Sequence, residues 1–225
     1  MKKELTITAL ISEARAFCEA ESKINNSFLY GVTDGKAVGT HIEAKFKQHL
    51  FQLYNTEKGN AASGIDLPAA NILTDIKVTS IKQPQSSCPF KDAKQKIFGL
   101  GYNLLVFVYD KKDDPLSKTA ILDFVSCNFI EKERTGDYNT TFYLREMIRC
   151  EANQEEISAY LNDKSIPGDS ITHNELAEQI LKTTPEQGYL TISNALQWRL
   201  QYGRIVGLKT EIDGITQIIK NKTAL

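Results

Sequence analysis

No stretch of the sequence approaches the ~18 apolar residues needed to cross a bilayer, so no membrane span is expected. The four cysteines, Cys18, Cys88, Cys127 and Cys150, stand far apart with no Cys-x-x-Cys pair, and the three histidines are scattered. That excludes a recognisable zinc-ligand spacing and points to ordinary thiols in a reducing cytosol. An excess of one charge is missing too: 27 basic residues face 28 acidic ones, a net of −1. Such a chain does not bind nucleic acid through bulk positive charge, although a basic patch on a neutral body remains open. There are no internal repeats and no low-complexity segments. The start Met1-Lys2-Lys3 could open a secretory signal, but Glu4, Glu13 and Arg15 interrupt the segment, so none is expected.

What is present is ordinary for a globular chain. The 225 residues suit one or two domains, and 41% hydrophobic with 24% charged residues excludes a disordered tail, a collagen-like chain and a coiled coil. Residues 6–23 read as an amphipathic helix with Leu10, Ala14, Phe17 and Ile24 at helical spacing. A second helix is expected to start at Thr40, where Thr40 and Glu43 fit a capping box ahead of Ile42, Phe46, Leu50 and Leu53. After a polar loop at 54–64, residues 65–67 and 72–79 read as short strands joined by Pro68-Ala69-Ala70-Asn71. A helix over 90–99 leads to the apolar run 103–109, which suits a central strand buried on both faces. Residues 119–129 form a further strand, antiparallel to it across the charged turn 110–115.

The expected fold is α/β: a central mixed β-sheet flanked by helices over residues 1–150, with a mainly helical C-terminal portion over 151–225. Turn punctuation in the latter falls at 166–169 and 184–188.

The chemistry concentrates in Gly64-Ile65-Asp66-Leu67-Pro68 and Ile72-Leu73-Thr74-Asp75-Ile76-Lys77-Val78-Thr79. Strand side chains alternate faces, so Asp75, Lys77 and Thr79 share one face while Thr74, Ile76 and Val78 supply packing on the other. Asp66, on the preceding strand, can be brought opposite Asp75. Two converging carboxylates repel unless a cation sits between them. Magnesium takes oxygen ligands and keeps several waters, and a nearby ammonium can hold a water or a phosphate oxygen. Together these parts suit attack on a phosphodiester.

Asp66 followed by Asp75-Ile76-Lys77 resembles the PD-(D/E)xK nuclease motif, and the wider layout over roughly residues 38–126 resembles a type II restriction endonuclease. Glu43 sits on a helix before the motif, and an apolar strand follows the helix after it. The departures are Ile65 in place of proline, aspartate at position 75 where glutamate is commoner, and a short spacing of nine residues between the acids. The resemblance implies a magnesium-dependent, sequence-specific endonuclease that cuts double-stranded DNA to 5′-phosphate and 3′-hydroxyl ends. Asp66, Asp75 and the Ile76 carbonyl would hold Mg2+, Lys77 would orient or activate the attacking water, and Glu43 would be an additional acid. It further implies a homodimer working in a prokaryotic cytoplasm. The alternatives are a structure-specific repair or resolvase-type nuclease, a non-catalytic DNA-binding protein on the same fold, and an unrelated α/β enzyme. A separation of Asp66 and Asp75 beyond about 8 Å would favour the last, because one magnesium ion could not reach both.

Charge supports a polyanionic substrate. Between residues 76 and 100, Lys77, Lys82, Lys91, Lys94 and Lys96 face only Asp92, a local net of +4. From residue 151 onward the net is −3, so DNA contact there must be local. Residues 172–182 read as a helix, and a second is expected from Thr191 or Ser193 to about Tyr202, with Ile192, Leu196 and Leu200 inward. Its outer face would carry Asn194, Gln197, Gln201 and Arg204, residue types that can pair with purine edges in the major groove.

Overall fold

A computed structural model describes residues 2–57, 59, 64–88, 92–193 and 198–221. In chain order the elements are β1 (Lys3–Glu4), α1 (Ile7–Glu21), α2 (Gly35–Leu53), β2 (Tyr54–Asn55), β3 (Thr74–Ser80), β4 (Gln85–Cys88), α3 (Lys94–Phe98), β5 (Asn103–Asp114) and β6 (Thr119–Ile130). They continue as α4 (Tyr138–Arg149), α5 (Gln154–Asp163), α6 (Ser170–Lys182), β7 (Thr191–Ile192), β8 (Trp198–Gln201), α7 (Gly203–Val206) and β9 (Ile215–Ile219). The contacts divide the chain into two compact units, residues 1–86, 102–130 and 206–225 in the first and 87–101 and 131–205 in the second.

The first unit is built on a four-stranded mixed sheet in the order β3-β5-β6-β9. β3 runs parallel to β5, with Asp75 opposite Leu104 and Lys77 opposite Val106. β5–β6 is antiparallel, as suits the short connection between them, and β6–β9 is antiparallel as well. The expected strands at 72–79, 103–109 and 119–129 are found as β3, β5 and β6, with β5 running on through the charged segment to Asp114. β9 is a correction, since it lies in a portion expected to be mainly helical. The run Leu104 to Tyr109 is buried throughout, as a central strand demands.

Helices α1 and α2 cover one face of this sheet. Leu10, Ala14 and Phe17 of α1, and Val38, Ile42, Phe46 and Leu50 of α2, pack with Ile76, Leu105, Phe107, Leu122 and Phe129. Phe46 lies 5.0 Å from both Phe17 and Phe107, ring centroid to centroid. Thr6 caps α1 by accepting a hydrogen bond from the Ala9 amide. Ile24 lies beyond the helix and is exposed, so the apolar stripe ends at Phe17.

Helix α2 starts five residues earlier than expected. Asp34 caps it by accepting from the Lys36 amide, which leaves Thr40 inside the helix and removes the capping box at Thr40 and Glu43. Gly35 and Gly39 disguise this start, since glycine weakens a helical reading. Gly39 has a packing reason: a Cβ there would stand 3.3 Å from the Val78 carbonyl oxygen, so its absence lets α2 cross close over β3.

The segment 65–67 does not form a full strand. Leu67 alone pairs with Thr74, each donating its amide to the other's carbonyl. That single antiparallel bridge is enough to fold Asp66 back beside β3.

The second unit is largely helical. Leu144 of α4, Ile157 and Leu161 of α5, and Leu176, Ala177 and Ile180 of α6 share a core with Ile97 and Ile166. Asn153 and Glu156 form a capping box on α5, and Asp169 caps α6. Where a helix is expected over 191–202, the described residues form strands instead. β7 and β8 form an antiparallel pair there, with Thr191 opposite Gln201 and Ile192 opposite Leu200. Trp198, Leu200 and Tyr202 are buried while Arg199 and Gln201 are exposed. This is the period of a strand. Apolar residues four apart, as at 192, 196 and 200, fit both periods, and the alternating burial over Trp198–Tyr202 selects the strand. Asn194 and Gln197 lie outside the described residues.

Candidate active site

Five side chains of the first unit come together between the middle of α2, the segment around Asp66 and the start of β3. Alternation along β3 sends Ile76 into the core and leaves Asp75 and Lys77 on the opposite face. The Lys77 ammonium pairs with Asp75 Oδ2 at 2.7 Å. Thr79, which shares that face, is buried and works at a turn: its hydroxyl accepts from the Gln85 amide and donates to the Gln83 carbonyl. Asp66 is fixed by the backbone, its Oδ2 accepting from the Ile76 amide at 3.0 Å. The Asp66 and Asp75 carboxyl groups lie within hydrogen-bonding reach of each other. The two acids therefore fall well inside the separation that one small cation can bridge.

Helix α2 contributes the rest. Glu43 and Lys47 are one turn apart, beside the buried stripe of Ile42, Phe46 and Leu50, and so project over the edge of β3. The Lys47 ammonium donates to Glu43 Oε1 at 2.6 Å and to Asp66 Oδ1 at 2.8 Å. Lys47 escaped sequence reading because its signal is only a Glu-x-x-x-Lys spacing, which is common on solvated helix faces. The signal becomes specific only once α2 is known to start at Gly35 and to cross β3 at Gly39.

The electrostatics follow from this crowding. Burial pushes the Asp75 carboxyl up to about 7; the neighbouring Asp66 adds to the rise and Lys77 opposes it. Burial also raises Glu43, again with Asp66 adding and Lys47 opposing. For Asp66 burial would do the same, but hydrogen bonds from Lys47, Asp75 and the Ile76 amide outweigh it and hold the group below the ordinary aspartate value. Burial likewise works against the Lys47 charge, and its bonds to Asp66 and Glu43 overcome that and raise it.

Among the described residues no group of three or more His, Cys, Asp or Glu side chains is spaced to cage a metal ion. A pair of aspartates suits magnesium nonetheless, because that ion keeps several waters and is held by one or two carboxylates. The neighbouring Asp66 carboxyl adds to the rise at Asp75, and a cation between the two would relieve that repulsion. The donor set is all oxygen, as a hard divalent ion requires.

The expected DNA-contacting residues are dispersed. Lys82 is exposed on the turn after β3, in the unit that carries the site. Lys94 is exposed at the start of α3, in the other unit, and Lys91 lies outside the described residues. Lys96 is 5% exposed, with Asp137 as a charged neighbour, so it does not belong to a solvent-facing basic patch. Gln201 is exposed on β8. The Arg204 guanidinium stacks 3.6 Å from the Tyr138 ring centroid. The two do not share a helix face.

A model of the family described as type II restriction enzyme NspV matches residues 4–217. The chain is 51% identical over 217 residues to the type II restriction enzyme NspV of Nostoc sp., covering 96% of this chain and 98% of that relative. No solved structure matches the chain.

Proposed function

The chain belongs to the type II restriction enzyme NspV family, and from that premise we propose that it is a magnesium-dependent endonuclease of the PD-(D/E)xK kind. It cuts both strands of a specific DNA sequence and acts as a homodimer in the cytoplasm of a prokaryote. The observation that carries this reading is the convergence of Asp66, Asp75 and Lys77 on one strand edge.

Asp66, Asp75 and the Ile76 carbonyl would hold Mg2+, which neutralises charge on the phosphodiester and lowers the pKa of water. The chain's own groups do the positioning. The Ile76 amide and Lys47 fix the Asp66 carboxylate from two sides. Lys77, a fifth exposed and anchored on Asp75, can hold a water on the solvent side and steady it for in-line attack on phosphorus. The P–O3′ bond breaks as the water oxygen bonds to phosphorus. The attacking water gives up a proton to the surrounding solvent and the leaving oxygen takes one up from it, so the products are a 5′-phosphate and a 3′-hydroxyl. Two copies of the chain would present two such sites to the two strands of a palindrome. Lys82 adds phosphate contact near the site, and Lys94, Gln201 and Arg204 are the described candidates for contact from the other unit.

The test is digestion of a long, unmethylated DNA with and without Mg2+, followed by sequencing of the fragment ends. Discrete magnesium-dependent fragments with one shared end sequence, 5′-phosphorylated, are expected. Random or metal-independent degradation would sink the reading.

A further inference from the structure

Three carboxyl groups stand in a row in this site, Glu43, Asp66 and Asp75, with Asp66 in contact with each of the other two. The row has two gaps in which a cation could sit. We propose that the Lys47 ammonium permanently fills the gap between Glu43 and Asp66 in place of a second metal ion, so that each chain binds one divalent ion, between Asp66 and Asp75. This rests on the assignment of Asp66 and Asp75 as the metal-holding pair.

The geometry separates the two gaps. Lys47 Nζ lies 2.6 Å from Glu43 Oε1 and 2.8 Å from Asp66 Oδ1. A magnesium ion bridging those oxygens would sit ~2.0–2.1 Å from each, so ammonium and metal cannot share the place. Asp66 meanwhile turns Oδ2 to the Ile76 amide, on the strand that carries Asp75. At the second gap the two aspartate carboxyls are hydrogen-bonding neighbours, with no ammonium among the described residues bridging them in the way Lys47 bridges the first pair, and Lys77 holds Asp75 at Oδ2.

Lys47 is also hard to displace. It is tethered one helical turn from Glu43, so its effective concentration at the gap is on the order of millimolar or higher. A free ion must compete with that and must also strip its own waters. Charge acts in the same direction: three carboxyls against Lys47 and Lys77 leave room for one divalent ion before the cluster turns strongly positive. A unit positive charge within about 6 Å of a divalent ion weakens that ion's binding about tenfold even at the dielectric of water.

The proposal is tested by counting Mn2+ bound to the full-length protein without DNA, by the loss of the free-ion electron paramagnetic resonance signal. Wild type should bind one Mn2+ per chain. Lys47→Met should bind two, the first about tenfold tighter or more, and Lys47→Arg should return the count to one. Two ions in wild type would overturn the proposal, as would a Lys47→Met protein that still binds one ion with unchanged or weaker affinity. If Lys47→Met fails to fold, Glu43→Gln decides: it should leave one ion bound, whereas a fall from two to one would make Glu43 the ligand of a second metal. Wild-type binding that survives Asp66→Asn and Asp75→Asn unchanged would instead refute the assignment of the metal-holding pair.

Discussion

Replacing Asp75 by asparagine should make the metal-free protein more stable at pH 8 while abolishing its activity. Asp75 is 3% exposed, and its carboxyl is pushed from 3.8 to about 7. Between those values the folded state holds a proton that the unfolded chain has released. Stability is therefore full below the unfolded value and falls as pH rises through about 7. Each tenfold change in proton affinity is worth about 1.4 kcal/mol, so ionising Asp75 costs the fold roughly 4 kcal/mol above pH 7. The depressed Asp66 carboxyl acts in the opposite sense, but its window lies below 3.8 and is passed before pH 5. Asparagine keeps the shape and removes the charge. It also deprives Lys77 of a partner, a loss softened because that side chain is 21% exposed. A net gain of about 2 kcal/mol at pH 8 remains, or roughly 4–8 °C in Tm for a chain of this size. Thermal melts followed by circular dichroism in EDTA, at pH 5 and pH 8, measure it. The two proteins should nearly coincide at pH 5 and separate at pH 8, and added Mg2+ should stabilise wild type far more than the variant. A variant that is less stable at pH 8, or a gap independent of pH, would refute the reasoning.

Other consequences lie elsewhere in the chain. Phe46→Ala removes a fully buried ring packed on Phe17 and Phe107 and should cost about 3–5 kcal/mol in urea denaturation; a cost under about 1.5 kcal/mol would contradict the described core. Asp137 accepts from the Thr140 amide and hydroxyl and from the Ile192 amide. Asp137→Ala should therefore lose about 2–4 kcal/mol, with Asp137→Asn retaining a good part, and equal losses in the two variants would make the charge itself decisive. Lys82→Ala should weaken DNA binding for all sequences and lower the log–log salt slope by about 0.9, leaving the cut sequence unaltered. A slope equal to that of wild type would remove Lys82 from the DNA surface.

The sheet and its strand-borne acids were legible because their signals are local. The apolar run at 103–109 suits a strand buried on both faces, which β5 is, and alternation alone separates Asp75 and Lys77 from Ile76. The start of α2 was not legible. Two glycines and a decoy Thr-x-x-Glu pattern hid a cap at Asp34, and Gly39 makes sense only beside Val78. Lys47 was invisible for the same reason, since its partner Asp66 is 19 residues away and meets it through the fold. The strands β7 and β8 were misread because a spacing of four residues is shared by both periodicities, and only the burial of Trp198, Leu200 and Tyr202 breaks the tie.

The central claim is that Lys77, from its anchor on Asp75, steadies the water that attacks the scissile phosphate. Single-turnover cleavage of a DNA bearing the recognition sequence, with Mg2+ and saturating enzyme, tests it most directly by comparing wild type with Lys77→Ala. The account predicts a fall of about 10²–10⁴ in the cleavage rate, with DNA affinity, measured in EDTA, changed no more than severalfold. Cleavage by Lys77→Ala at the wild-type rate would contradict it.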